Sequence, residues 1–294
     1  MSKKQVAPRG TPRERVTRLL ARADAEGFAM PAFNYSDIWD FLAIIEAAEE
    51  LRAPIFISSN QRVVTDIGIE LCGAFGAAAM RKASIPLIHH LDHSNRPEIC
   101  RAAVDHGYPS VMIDASSHPL AENIAIVKPV ADYAHAHGVL VEGEVGRIKG
   151  AGVEGVYAGE DFLAQVEEVA AFVRESGVDS LAVGIGTAHG FYQGKPEIHF
   201  DRLEEINAAV SVPLVLHGGT GIPQEDVRRA IRGGINKVNV GTIIHCTYMN
   251  TVRAELQRLG ENAYTLDVMP AARAAVREEV KKWIRVCMAD GKGD

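Results

Sequence analysis

Short apolar, β-branched runs alternate along this chain with longer stretches in which hydrophobic residues return every three or four positions. The short runs read as strands: AMPAFN (29–34), PIFISS (54–59), IPLIHHL (85–91), SVMID (110–114), VLVEGEV (139–145), SLAVGIG (180–186), VPLVLHG (212–218) and KVNVG (237–241). The stretches between them, such as DIWDFLAIIEAAEELR, LAENIAIVKPVADYAHAHG and QEDVRRAIRGG, carry their apolar residues on one helical face, and Gly or Pro often marks their ends. Eight strands alternating with helices predict an α/β fold, the (β/α)8 TIM barrel, for which about 250 residues is usual. No linker or low-complexity segment divides the chain, so a single barrel domain is expected to span 1–294. Within it, residues 1–11 are expected to be flexible and 243–294 to form C-terminal helices that complete the barrel. A doubly wound sheet would need a glycine fingerprint after its first strand, and none is there.

In such a barrel the reacting groups collect at the C-terminal ends of the strands. Reading those ends in order gives Asn34, Ser59 and Asn60, then His90, Asp92 and His93, then Asp114, Glu142 and Glu144, His189, His217, Asn239 and Thr242. The strand starts are apolar or carry proline instead. Histidines scattered through a core would not choose one end, so the pattern reads as an enzyme.

His93, His189 and His217 follow strands three, six and seven, and closure would bring them together across the mouth. Three neutral imidazoles with a fourth position open make a catalytic zinc site. The remaining histidines at 106, 118, 135, 137, 199 and 245 read as ordinary hydrogen-bonded side chains. Strand alternation puts His90 and Asp92 on one face, with His93 just beyond. A carboxylate at Asp92 can shuttle a proton to an oxygen of bound substrate, or orient a ligand histidine. Glu142 and Glu144 share a face of strand five, as a metal ligand, a hydrogen-bond partner or satisfied buried carboxylates. After strands six, seven and eight come GTAHG (186–190), HGGTG (217–221) and NVGT (239–242). Their glycines let backbone N–H groups approach an anion, and Thr220, Thr242 and Asn239 add donors, which suits a phosphate. The glycine-rich AGVEGVYAGED (151–161) has the backbone freedom of a lid.

Composition narrows the classes. The chain is 47% hydrophobic and carries a net charge of -7, without a basic stripe, which argues against nucleic acid as a partner. The basic residues near the start flank no long apolar run, so neither a signal peptide nor a membrane span is expected. Cys72, Cys100, Cys246 and Cys287 are far apart and form no CxxC pair, which reads as reduced thiols in a cytoplasmic protein.

The segments GFAMPAFN, HLDH, VEGEVGRI, LAVGIGTAHGFYQGKPEIHFDRL, PLVLHGGTGIP and KVNVGT together resemble the class II, zinc-dependent ketose-bisphosphate aldolases. That family includes fructose-bisphosphate and tagatose-bisphosphate aldolase. The resemblance implies one catalytic Zn2+ per subunit on His93, His189 and His217, and it admits a monovalent cation as well. It implies that Asp92 exchanges a proton with the substrate C4 oxygen and that Glu144 marks an alternative metal position. Gly190, Gly218, Gly219, Thr220, Asn239, Val240, Gly241 and Thr242 match the cradle for the phosphate of dihydroxyacetone phosphate, and Asn34 and Ser59 match substrate contacts. The implied reaction is reversible aldol cleavage of a ketose phosphate, with the metal as Lewis acid. The implied partner is a small-molecule sugar phosphate, and the implied assembly a homodimer or homotetramer.

Three departures bear on the substrate. The family's acidic GGxED-like loop reads KGAGVEGVYAGED, leaving Glu154 as the candidate for the C–H proton, while Glu160 and Asp161 suit the start of a helix. The NxxTD after strand eight reads NVGTI, with Ile243 in place of the acid. The DPR that supplies an arginine to the second phosphate reads YTLDVMP. A ketose 1-phosphate with an unusual aldehyde half fits these departures better than fructose 1,6-bisphosphate. Two other readings compete: a non-catalytic sugar-phosphate-binding barrel with a degenerate loop, and zinc-dependent hydrolysis on the same scaffold.

Overall fold

The computed structural model describes residues 10–146, 149–150, 163–190 and 196–294. Eight parallel strands close into a barrel: β1 (Met30–Asn34), β2 (Ile55–Asn60), β3 (Leu87–Ser94), β4 (Ser110–Ile113), β5 (Leu140–Val145), β6 (Ser180–Val183), β7 (Leu214–Leu216) and β8 (Ile235–Val240). Each pairs with its sequence neighbours, and β8 returns to β1. All eight predicted strands are present, with shifted ends. β3 runs three residues further than the apolar pattern suggests because Asn60 pairs with Asp92 and Ser94 with Ile113. β6 stops early at Val183, ahead of Gly186, whose φ of +95° leaves the strand region.

Alternation divides the side chains between two layers. Met112, Ala182 and Val215 meet inside the barrel, while the larger core lies between the outer strand faces and the helices. Helix α1 (Pro12–Glu26) closes the end of the barrel where the strands begin. A capping box of Thr11 and Glu14 starts it, left-handed Gly27 ends it, and Arg13 reaches Asp179 just before β6. Thr11, expected within a flexible lead, is thus a helix cap, and residues 1–9 lie outside the described residues.

Helix α2 (Ile38–Leu51) follows β1. A helical stretch from Gln61 to Lys82, containing α3 (Ile69–Lys82), connects β2 to β3. It is the one described segment long and apolar enough to cross a bilayer, yet it packs on the barrel through Cys72, Gly73, Gly76 and Ala79 and leaves Leu71 exposed. Around the rest of the wall run α4 (Pro97–Asp105), α5 (Leu120–Ala136), α6 (Val166–Ser176), α7 (Phe200–Ala209) and α8 (Gln224–Arg232). After β8 come α9 (Thr242–Leu259) and α10 (Thr265–Val286), and α10 lies along both α2 and α9.

Candidate active site

The tip of β3 sets the geometry. His90 and Asp92 point into the barrel, and His89 points out against Gly76, where a Cβ would stand 2.0 Å from the imidazole. Simple alternation would send His93 outward as well. Instead the ladder with β4 shifts register between Leu91 and Ser94, and His93 takes a left-handed φ of +43°. That local kink turns its ring into the mouth, which is what a bulge next to a site can do. His189 arrives on the two-residue segment Ala188–His189, which pairs with 149–150, and His217 directly follows β7. Gly218 has φ +70°, and a Cβ there would stand 2.2 Å from the Ala188 carbonyl, so only glycine lets the two histidine-bearing segments approach so closely.

The three imidazoles converge. His93 Nε2 lies 2.7 Å from His217 Nδ1, the His93 and His189 ring centres are 4.7 Å apart, and the ligand atoms of all three sit within 4.8 Å of one another. The far nitrogens of two rings rest on carboxylates: His93 Nδ1 on Asp114 at 3.1 Å, and His217 Nε2 on Glu142 at 3.0 Å. Asp114 is braced in turn by the backbone N–H and hydroxyl of Ser116, and the same hydroxyl oxygen lies 3.1 Å from Glu144 Oε1. Glu144 Oε2 is buried without a hydrogen-bond partner among the described residues, 4.0 Å from His217 Nδ1, and with His93 and Asp114 it forms a second cluster of possible ligands. Imidazoles backed by carboxylates, beside an orphaned carboxylate oxygen, are a donor set that fits a divalent transition-metal ion. Burial and then neighbouring His93 lower the pKa of both His189 and His217, which favours their neutral, metal-binding forms. Burial and the nearby Asp114 raise Glu144 well above the carboxylate range.

Asp92 sits beside this cluster, held from two sides. Asn34 Nδ2 donates to one oxygen at 2.8 Å and Asn239 Nδ2 to the other at 3.0 Å. Burial alone would raise its pKa, but the neighbouring His93 above all holds it well below the usual carboxylate range. Both of its oxygens thus accept from a fixed amide. The Oδ1 atoms of Asn34 and Asn239 are buried with no hydrogen-bond partner among the described residues.

A further polar layer underlies these groups. Lys237, fully buried on the inner face of β8, donates to both Glu142 oxygens at 2.8 and 3.0 Å and lies 3.4 Å from His90 Nε2. The sequence alone does not single out this residue, because a mid-strand lysine looks like a solvent-facing one until the register is known. The bonds of Lys237 to Glu142 and of Asn239 to Asp92 show that both face inward.

At the tips of β7 and β8 the glycine-rich turns interlock. Gly219 N–H donates to the Asn239 carbonyl at 3.1 Å, and Ile243 N–H to Thr220 Oγ1 at 3.2 Å, so Thr220 stands at the N-terminus of α9 beside Gly241 and Thr242. Gly190 closes this rim with φ +88°. The side chains of Val240, expected in this cradle, and of Ser59, expected as a substrate contact, point elsewhere. Val240 puts its side chain in the outer core, under Gly219. Ser59 pairs in register with Leu91, faces the helices and bonds to Tyr108 Oη at 2.8 Å, whereas Ser58 and Asn60 share the register of His90 and Asp92. Glu154 and the whole 151–161 segment, including the acids at 160 and 161, lie outside the described residues.

Comparison with known proteins adds to this geometry. The description of Fructose-bisphosphate aldolase class-II matches residues 14–292. A 6-phospho-5-dehydro-2-deoxy-D-gluconate aldolase of Bacillus velezensis is 38% identical over 277 residues, which cover 93% of this chain and 95% of that one. The crystal structure of the YdjI aldolase of Escherichia coli K12 matches with a TM-score of 0.85 and 33% identity, over 95% of this chain and 98% of that one. A fructose-bisphosphate aldolase from Campylobacter jejuni shares the fold, with a TM-score of 0.78 at 20% identity over 96% of each chain.

Proposed function

This chain belongs to the class-II fructose-bisphosphate aldolase family, and from that premise we propose that it cleaves a ketose monophosphate, zinc-dependently and reversibly, into dihydroxyacetone phosphate and an aldehyde. The observation that carries the reading is the Asp92 carboxylate, clamped by Asn34 and Asn239, beside three convergent histidines. His93, His189 and His217 would hold the zinc ion, with Glu144 in reach as an alternative ligand. Zinc bound there would supply Lewis-acid polarisation of the ketose carbonyl.

The protein's own groups account for the proton steps. Asp92 accepts the proton of the hydroxyl two carbons from the ketone, and that carbon becomes the aldehyde as its bond to the neighbouring carbon breaks. The electron pair of that bond stays with the three-carbon fragment, which takes up a proton at carbon to become dihydroxyacetone phosphate. Glu154 remains the candidate donor of that proton. Asn34 Oδ1 and Asn239 Oδ1, without a partner among the described residues, would accept substrate hydroxyls. The phosphate would rest on the α9 N-terminus and the turns at Gly190, Gly218, Gly219 and Thr220, where backbone N–H groups and the helix dipole favour an anion.

The name of the Bacillus velezensis relative supplies the first substrate to try. 6-Phospho-5-dehydro-2-deoxygluconate carries one phosphate next to its ketone and a carboxylate at its far end. Cleavage between C3 and C4 gives dihydroxyacetone phosphate and a three-carbon aldehyde acid. A single phosphate agrees with YTLDVMP standing where the family's arginine for a second phosphate would be. The test is a coupled assay for dihydroxyacetone phosphate, on zinc-loaded and EDTA-stripped protein, with Asp92→Ala as control. A missing charged hydrogen bond of about 1.5–3 kcal/mol predicts kcat/KM for the deoxygluconate phosphate roughly 10- to 100-fold above that for fructose 1,6-bisphosphate. Equal or better turnover of the bisphosphate would refute the substrate, and metal-independent cleavage would refute the mechanism.

A further inference from the structure

Lys237 lies beneath the mouth, with its side chain fully buried and its Nζ 5.2 Å from the centre of the Phe56 ring. Its ammonium has three N–H groups, and three acceptors surround it: Glu142 Oε1 at 3.0 Å, Glu142 Oε2 at 2.8 Å and His90 Nε2 at 3.4 Å. An ammonium can only donate, so each of these atoms is fixed as an acceptor. Two consequences follow for the neighbouring imidazoles. His90 must carry its proton on Nδ1, which faces Ser110 Oγ at 2.8 Å. Glu142, with both oxygens accepting from Lys237, can take only a further donor from His217 Nε2 at 3.0 Å. The His217 proton then sits on Nε2, and the Nδ1 lone pair points at His93 and the ligand cluster.

We infer that Lys237 is a positioning residue for the metal centre: through Glu142 it fixes the ring orientation and tautomer of His217, so that Nδ1 is the ligand atom. The inference rests on the metal-site reading above. A covalent role for this lysine is not what the geometry offers, because its nitrogen is turned into the Glu142 carboxylate at 2.8 Å, away from the mouth.

The test compares zinc-free wild type with Lys237→Met in a titration against a chromophoric chelator, alongside the visible spectrum of each protein loaded with Co2+. Losing an outer partner of this kind predicts zinc affinity weakened by about 10- to 100-fold, with an altered cobalt d–d band in a variant that still folds by circular dichroism. A folded variant with unchanged affinity and an identical cobalt spectrum would overturn the inference. Should Lys237→Met fail to fold, zinc-loaded wild type labelled with 15N-histidine gives the answer directly. Long-range 1H–15N spectra are expected to show metal on Nδ1 and a proton on Nε2 of His217, and the reverse arrangement would overturn the inference. Wild type that binds no zinc would overturn the metal reading itself, which separates the two failures.

Discussion

On the proposed mechanism, a carboxylate that collects a proton from substrate has to be ionised, aimed and kept from drifting onto the metal. At Asp92 the amides of Asn34 and Asn239 do the aiming, one per oxygen, at 2.8 and 3.0 Å. Each leaves a second lone pair free for the substrate hydroxyl. Asn34→Ala frees one oxygen, and a misplacement near 1 Å is enough for roughly 10- to 100-fold loss of kcat. Zinc content should stay unchanged, since Asn34 is outside the histidine cluster, so kinetics and metal analysis on one preparation check both halves. Lost zinc would instead make Asn34 part of the metal site. The three histidines could be read from sequence because each falls at or just past the end of a predicted strand, where a polar residue is conspicuous against apolar neighbours. Ser59 misled, because a one-residue slip in a strand exchanges its two faces, and only the pairing of Asn60 with Asp92 fixes which serine is inside. Lys237 was hidden for the same reason. His93 escaped alternation altogether, turned inward by a backbone kink that no local pattern announces.

Elements came through more clearly than their ends. The strand and helix periods identify all eight repeats, but hydrogen-bond ladders decide the boundaries, and a ladder joins residues far apart in sequence. The start of α2 shows how much an end can matter. Asp37 caps it, accepting from the N–H groups of Trp39 and Asp40, and Tyr248 of α9 donates to the other oxygen at 2.6 Å. Asp40 answers by accepting from the N–H groups of Ser36 and Asp37, so two carboxyls share one buried turn. Burial, joined by the Asp37 charge, pushes the Asp40 carboxyl up to about 7. The unfolded chain loses that proton near pH 4, so across roughly pH 4 to 7 the folded protein holds more protons than the unfolded one. This group's contribution to stability therefore falls as pH rises through that window and levels off above it. Asp40→Asn cannot titrate, so its stability relative to wild type should improve from pH 5 to pH 8, measured by urea midpoints. The same difference at both values would show that Asp40 is ionised throughout.

On the scale of the whole molecule the barrel divides its labour between two ends. The end where the strands finish gathers histidines, carboxylates and glycine turns, and stores uncompensated groups such as Glu144 Oε2 and the two asparagine Oδ1 atoms. The end where they begin is fully paired around Asp179. That carboxylate accepts from Arg13 of α1 at 2.7 Å, from the Val141 backbone N–H at 2.9 Å, and meets His135 of α5 at 2.9 Å. One side chain thus joins the closing helix, a wall helix and two neighbouring strands. Its role was not legible beforehand, because an aspartate just ahead of a strand is also what an ordinary loop would supply. Asp179→Ala should leave the buried Val141 N–H and two cationic or polar partners without their acceptor, at about 2–4 kcal/mol of folding stability. Activity and zinc affinity per folded molecule should be untouched, since the metal cluster lies at the opposite end of the strands. Urea unfolding and zinc titration of the same variant separate the two quantities. Lost zinc affinity at full stability would mean that the two ends are coupled through the barrel wall, and that closing the bottom of the barrel also helps to shape its mouth.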